Sequence, residues 1–236
     1  MLSRNMFPIA VGLAAVLLAT APALWAQTSS PYGDPALLLP PPPPQGSAAA
    51  KADMADLKRV LATRTPALFA AAKFDSDNEN ATIYEAAIGG GFSLKNLPAT
   101  KKLMDDVQAR GSADVKIAKK YFARLRPWAV DKTIKPCEDI TSDLANPANS
   151  YPSGHATVGY STGVVLAALL PSRAQAILTR ADVFAQNRLM CGVHYRSDIV
   201  AGQVLGTLEA EHILSDPAAK AEVDAVRAEL KAANFQ

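Results

Sequence analysis

Residues 151–170 read YPSGHATVGYSTGVVLAALL. A polar turn, Tyr151-Pro152-Ser153-Gly154-His155, runs straight into an apolar, small-residue stretch from Ala156 to Leu170, which Pro171 stops. That stretch is shorter than the roughly 20 residues a membrane-spanning helix needs. Apolar on every side, it suits a helix buried in a core. At its start stand a serine, a glycine that leaves the backbone uncovered and a histidine in the first turn. Free backbone N–H groups and the helix dipole favour an anion there, phosphate above all. The plainer reading of the same residues is a helix cap.

The flanking sequence is helical in both directions. Upstream, Ala52–Ala62 carries Met54, Leu57, Val60 and Leu61 as one apolar stripe. Thr65-Pro66 opens a second helix, with threonine as cap and proline in the first turn. Asp75 to Asn80 is loop-like by composition, and Gly89-Gly90-Gly91 breaks the chain. Leu97–Arg110 and Ser112–Arg126 read as two helices divided by Gly111, the second ending where Pro127 follows Arg126. Trp128 to Ser150 reads as loop. Downstream, Ser172-x-x-Gln175 has the form of a capping box for a helix reaching Met190. Gly192 ends that helix, another covers about Ser197–Leu214, and Asp216-Pro217 caps a last one to about Ala232. No strand pattern and no repeat interrupts this series, and a chain of 236 residues suits one core. The expected fold is all-α, a single compact helical domain.

Three segments divide the chain: a leader over 1–26, a proline-rich extended arm over 27–50 and the helical domain over 51–236. The leader has Arg4, an apolar run from Ile9 to Leu18 and small residues up to Ala26, the pattern of a secretory signal. The arm holds a run from Pro40 to Pro44 that must be extended, and it reads as an arm or linker outside the core. Export implies a periplasmic or secreted protein with no membrane span in its mature form. The formal net charge of +2 gives no reason to expect a nucleic-acid partner. Cys137 and Cys191 are an even pair in an exported chain and are expected to form a disulfide, two free buried thiols being the alternative. Neither has zinc-site spacing, and with three histidines in all no metal site is expected.

Chemistry-bearing residues cluster at three places. Lys119 and Arg126 are two helical turns apart, with Phe122 between them. A solvated basic stripe with Lys116 and Lys120 is the alternative. The turn supplies Ser153, Gly154 and His155. Farther on come Arg188, His194 and Asp198, where the break at Gly192 lets His194 sit in a connection and Asp198 accept its ring N–H. That hydrogen bond fixes the tautomer and makes the other nitrogen a better nucleophile. His212 lacks such company and reads as an exposed helix residue.

Together, Lys119-x6-Arg126-Pro127, Pro152-Ser153-Gly154-His155 and Arg188-x5-His194-x3-Asp198 resemble the tripartite motif of the type 2 phosphatidic acid phosphatase superfamily. Within it, the exported chain, the prolines after Leu37-Leu38-Leu39 and Cys191-Gly192-Val193-His194 are most similar to the class A bacterial non-specific acid phosphatases. Asn187 departs from the family's usual serine before the arginine, a change expected to tune rather than abolish function because an amide still donates a hydrogen bond.

The resemblance implies the helical fold of the acid phosphatase and vanadium haloperoxidase type. It also implies a metal-independent acid phosphatase that hydrolyses phosphate monoesters through a phosphohistidine, over a broad substrate range and with phosphotransferase side activity. Lys119, Arg126, Ser153, Gly154 and Arg188 would bind the phosphate, with charge-assisted bonds from the basic side chains. His194 would be the nucleophile, Asp198 would orient it, and His155 would be the general acid and base. Inhibition by vanadate is expected, and no cofactor. Phe122, Trp128 and Tyr151 are candidate walls of the leaving-group pocket. The preferred ester and the oligomeric state, a homo-oligomer included, are left open.

Overall fold

The computed structural model describes residues 33–141 and 143–235. The leader over 1–26 and the first residues of the arm lie outside them. Among the described residues there are helices and no strands. The order is α1 (Ala48–Ala62), α2 (Pro66–Asp77), α3 (Glu85–Ile88), α4 (Pro98–Phe122), α5 (Pro127–Val130), α6 (Gly154–Leu169), α7 (Ala174–Met190), α8 (Arg196–Ser215) and α9 (Lys220–Ala232). No helix among the described residues is long and apolar enough to cross a membrane.

Helix α6 is the hub, as its uniformly apolar sequence demands: Val158, Val165, Leu166 and Leu169 are all buried. Helices α4, α7 and α8 pack around it. The seam with α8 is made by glycines. A Cβ on Gly202 would stand 2.6 Å from Ser153 O, and one on Gly206 would run into Thr157 O. The two helices therefore meet at main-chain distance. One apolar cluster joins α4, α6, α7, α8 and α9 through Leu103, Leu166, Phe184, Ile213 and Val226. A second gathers Leu57, Trp128, Leu189, Val193 and Ile199.

Several boundaries differ from the sequence expectation. Gly111 does not divide two helices: α4 runs unbroken from Pro98 to Phe122. The glycine is buried within α4 and faces Ser161 and Thr157 of α6, where a Cβ would make ordinary contacts at 3.5 Å and 3.7 Å. The helix stops at Ala123, which takes a left-handed conformation (φ 47°), before Arg126 is reached. Asp75 to Asn80 is not all loop, because α2 continues to Asp77 and buries Asp75 against Arg180. Ser172 and Gln175 form no capping box; a 3₁₀ turn over Pro171–Arg173 leads straight into α7, whose N-cap is Arg173. Pro127–Val130 forms a short helix within the expected loop, and Trp128 is buried.

The arm is not outside the core. Asp34 caps a 3₁₀ turn over Pro35–Leu38, and Leu39 is buried with Val115, Tyr151 and Leu205. Tyr151 Oη donates to Pro40 O at 2.5 Å. The apolar Ala36 and Leu39 and the tyrosine hydroxyl thus tie the segment down, and α1 already begins at Ala48.

Candidate active site

Three connections converge on one cavity of about 300 Å³, lined by Glu79, Val115, Lys119, Arg126, Glu138, Gly154, His155, Arg188 and His194 among others. Lys119 reaches it from the last turn of α4. Arg126 does not share that helix, contrary to the sequence expectation. It stands on extended backbone ahead of α5, its N–H donating to Pro147 O at 2.9 Å. Its guanidinium is buried and donates to Asn149 Oδ1 (2.7 Å), Val193 O (2.8 Å) and His194 Nε2 (2.7 Å). Burial, then Arg126, pulls the Lys119 ammonium down to about 7.

The turn enters α6 through a cis Tyr151–Pro152 peptide. Ser153 is the N-cap: Oγ accepts from Ala156 N at 3.3 Å and its own N–H donates to Asp198 O at 3.0 Å. Its side chain is fully buried. Gly154 and His155 line the cavity itself.

Arg188 lies in the last turn of α7, and Gly192 follows with φ +80°, a conformation that favours glycine. His194 follows in the connection and Asp198 in the first turn of α8. His194 is 1 % exposed and Asp198 fully buried, with His194 Nδ1 to Asp198 Oδ2 at 3.2 Å. Asp198 Oδ2 also accepts from Ser150 Oγ (2.6 Å) and Tyr195 N (2.9 Å). Burial holds His194 well below the ordinary imidazole range, with Arg126, Lys119 and Arg188 adding to it. Burial lifts the Asp198 carboxyl, against the pull of Arg124 and the bonds from Ser150 and Tyr195.

Arg188 is nearly inaccessible and donates through Nη2 to Glu138 Oε2 at 2.8 Å. Its Nε and Nη1 are buried and have no hydrogen-bond partner in the structure. Buried guanidinium donors without acceptors are costly, and here they belong to a residue that lines the cavity. The Cys137–Cys191 disulfide stands beside this pair, one residue from Glu138, and Cys137 N also donates to Cys191 O at 2.9 Å.

The sequence reading missed four contributors. Arg124 donates to Asp198 Oδ1 at 2.5 Å, Ser197 Oγ at 2.6 Å and Asp53 Oδ2 at 2.8 Å, and lies 4.0 Å over the Tyr195 ring. Its only sequence signal is its place two residues before Arg126. Ser150 hides at the end of a loop. Glu138 braces Arg188 and accepts from Ser76 Oγ; burial would raise its carboxyl, but Arg188 and Ser76 outweigh that and lower it. Glu79 approaches His155 Nδ1 at 3.3 Å, from the stretch that is loop-like by composition. Phe122, Trp128 and Tyr151 are not walls of this cavity. Phe122 lines a separate cavity with Pro42 to Pro44, Tyr151 lines one beneath Pro40 and Pro41, and Trp128 lies in the core. Asn187 turns away from the site and donates to Asp75 Oδ2 at 2.7 Å. His212 is half-buried rather than exposed, with Nε2 3.6 Å from Asp216 Oδ2.

Residues 109–218, which carry all three motifs, match the sequence model of the PAP2 superfamily. An acid phosphatase of Zymomonas mobilis is 29% identical over 213 residues, spanning 88% of this chain and 80% of that protein. A non-specific acid phosphatase of Salmonella typhimurium is 34% identical over 169 residues, spanning 70% of this chain and 66% of that protein. The fold is similar to the crystal structure of a transmembrane PAP2-type phosphatidylglycerolphosphate phosphatase from Bacillus subtilis. That match has a TM-score of 0.55 and 20% identity, and covers 71% of this chain and 85% of that one. With its three motifs folded around one cationic cavity, the chain belongs to the PAP2 superfamily, among its bacterial acid phosphatases.

Proposed function

We propose that the cavity hydrolyses phosphate monoesters by transferring the phosphoryl group to His194. The carrying observation is the arrangement around that imidazole. Asp198 occupies Nδ1, so Nε2 keeps the lone pair, and the unpartnered Nε and Nη1 of Arg188 belong to the same cavity. Lys119, Arg126 and Arg188 neutralise the charge on the phosphate oxygens, and the first N–H groups of α6 at Gly154 add theirs. Ser153 contributes by holding the turn. In the first half-reaction His194 Nε2 attacks phosphorus in line while the ester oxygen leaves with a proton from the His155 side. In the second, that side takes a proton from water, whose oxygen displaces His194. Acceptance of an alcohol in place of water gives the phosphotransferase side reaction. Charge neutralisation by side chains makes the activity independent of added metal and susceptible to vanadate. The apolar leader over 1–26 and the disulfide support action in the periplasm or outside the cell.

Trapping tests this reading. Wild-type protein mixed with a phosphomonoester and quenched in alkali should carry phosphate on the His194 peptide in mass spectrometry, and His194→Ala should carry none. Monoesters should be turned over in EDTA, with diesters and pyrophosphate as controls. Near wild-type turnover by His194→Ala would refute the mechanism.

A further inference from the structure

We infer that Glu79 and His155 share a single proton and that this pair, not the imidazole alone, gives up and recovers the leaving-group proton; the inference rests on the phosphohistidine reading above. His155 Nε2 lies 3.1 Å from the main-chain oxygen of Ser76. A carbonyl only accepts, so Nε2 carries a fixed hydrogen. The nitrogen whose proton can come and go is therefore Nδ1, and it faces Glu79 Oε1 at 3.3 Å. The ring is held flat against Phe184, centroids 5.5 Å apart and planes 26° apart.

Glu79 is held in turn. Gln108 Nε2 donates to its main-chain oxygen at 2.5 Å. Its carboxylate lies beside Gly154, with Oε1 3.7 Å from where a Cβ on that residue would stand. The charged groups sharing that cavity are Lys116, Lys119, Arg126, Arg188 and Glu138.

One proton has two places in this pair: on Glu79 as a carboxylic acid donating to a neutral imidazole, or on Nδ1 as an imidazolium donating to a carboxylate. Both forms are neutral overall. Burial raises the Glu79 carboxyl and lowers the His155 imidazole, which favours the first form before the ester binds. A neutral pair also removes an anion from a cavity that must accept phosphate. A bound phosphate dianion raises the proton affinity of both members, so the acid is loaded when the ester is present.

In the first half-reaction the proton passes from the pair to the ester oxygen as the P–O bond breaks, leaving ionised Glu79 and neutral His155. In the second, a water O–H bond breaks, the proton returns to the pair, the oxygen bonds to phosphorus, and the P–N electron pair returns to His194.

Glu79→Gln separates proton sharing from positioning, because the amide donates an N–H to Nδ1 but has no proton to surrender. For this variant kcat should fall about 100-fold or more on an alkyl phosphate, whose alkoxide needs protonation, and only a few-fold on p-nitrophenyl phosphate. The pH profile for the alkyl ester should lose the limb that the pair supplies. Equal losses on both esters with an unmoved profile, or no loss, would overturn the inference. A second measurement does not need the variant to fold: ¹⁵N NMR of histidine-labelled wild type should place the fixed His155 proton on Nε2, and finding it on Nδ1 would overturn the inference equally. Alkaline trapping of wild type runs in parallel. If phosphate is absent from His194, the phosphohistidine reading fails and the inference with it; if it is present and the variant is unaffected, proton sharing alone fails.

Discussion

Arg126 Nη1 lies 2.7 Å from His194 Nε2, the nitrogen that Asp198 leaves free by holding Nδ1. A guanidinium only donates, so this contact requires an unprotonated Nε2 and fixes His194 as the neutral Nδ1–H tautomer. The nucleophilic lone pair rests on a donor that a phosphate oxygen then takes over.

Removing that donor should change the pH profile as well as the rate. Arg126→Ala should lower kcat/KM about 100- to 1,000-fold, the usual cost of an oxyanion donor. After burial, Arg126 is the largest influence depressing His194, so its loss lets the imidazole protonate at higher pH. The neutral nucleophile then disappears earlier on acidification, and the acid limb of kcat/KM should move to higher pH. An acid limb that stays in place would show that Arg126 does not act on His194.

Lys119 should weaken phosphate binding on the alkaline side, separately from the limb that the Glu79–His155 pair supplies. With its ammonium pulled down to about 7, the side chain is charged below that pH and neutral above it. Affinity for an anion should therefore fall as pH rises through 7. Inhibition constants for inorganic phosphate between pH 5 and 9 should show this weakening in wild type. Lys119→Arg, which keeps its charge, should shift it to higher pH. Identical curves for the two proteins would refute the assignment.

The disulfide should matter for binding as well as stability. Its 54-residue loop is worth about 4 kcal/mol by chain entropy. Cys137→Ser with Cys191→Ser should lower the melting temperature. Because Glu138 follows Cys137 and braces Arg188, KM for a monoester should rise in the same variant. Titration calorimetry with phosphate on the folded variant checks this, and unchanged affinity would confine the bridge to stability.

Gly206→Ala tests the seam between α6 and α8. The added methyl meets Thr157 O, a main-chain atom that cannot rotate away. Overpacking of this kind costs about 1–3 kcal/mol or more, so chemical denaturation should show a clear loss. Stability equal to wild type would mean that the helices can separate at no cost.

The all-α architecture was legible because α1 carries one apolar stripe, α6 is apolar throughout, and Ser153, Pro171 and Gly192 mark helix ends. Gly111 misled because a glycine inside a helix and a glycine between helices look alike in sequence; only its contact with Ser161 and Thr157 separates them. The arm misled because prolines predict extension but not what the extended chain lies upon. At the site, side chains within fixed spacings were readable: Lys119, Arg126, His155, Arg188 and His194 line the cavity, and Asp198 bonds to His194. Glu79, Arg124, Glu138 and Ser150 were not, since each is brought there by tertiary folding from a segment without periodicity. Ser153 was readable as a cap, and the structure places its hydroxyl in that duty.

The glycine seam has a consequence for how such a protein can change. Ser153 N bonds to Asp198 O while Gly202 lets the two helices meet backbone to backbone, so the spacing of the two histidines is inherited from the main chain. Along the α4 side of the cavity the constraint lifts: Ser112 and Lys116 line it and hold none of those distances. A lineage can rewrite these positions for new leaving groups while the reacting atoms keep their places, and a library aimed at altered ester preference belongs at these two positions.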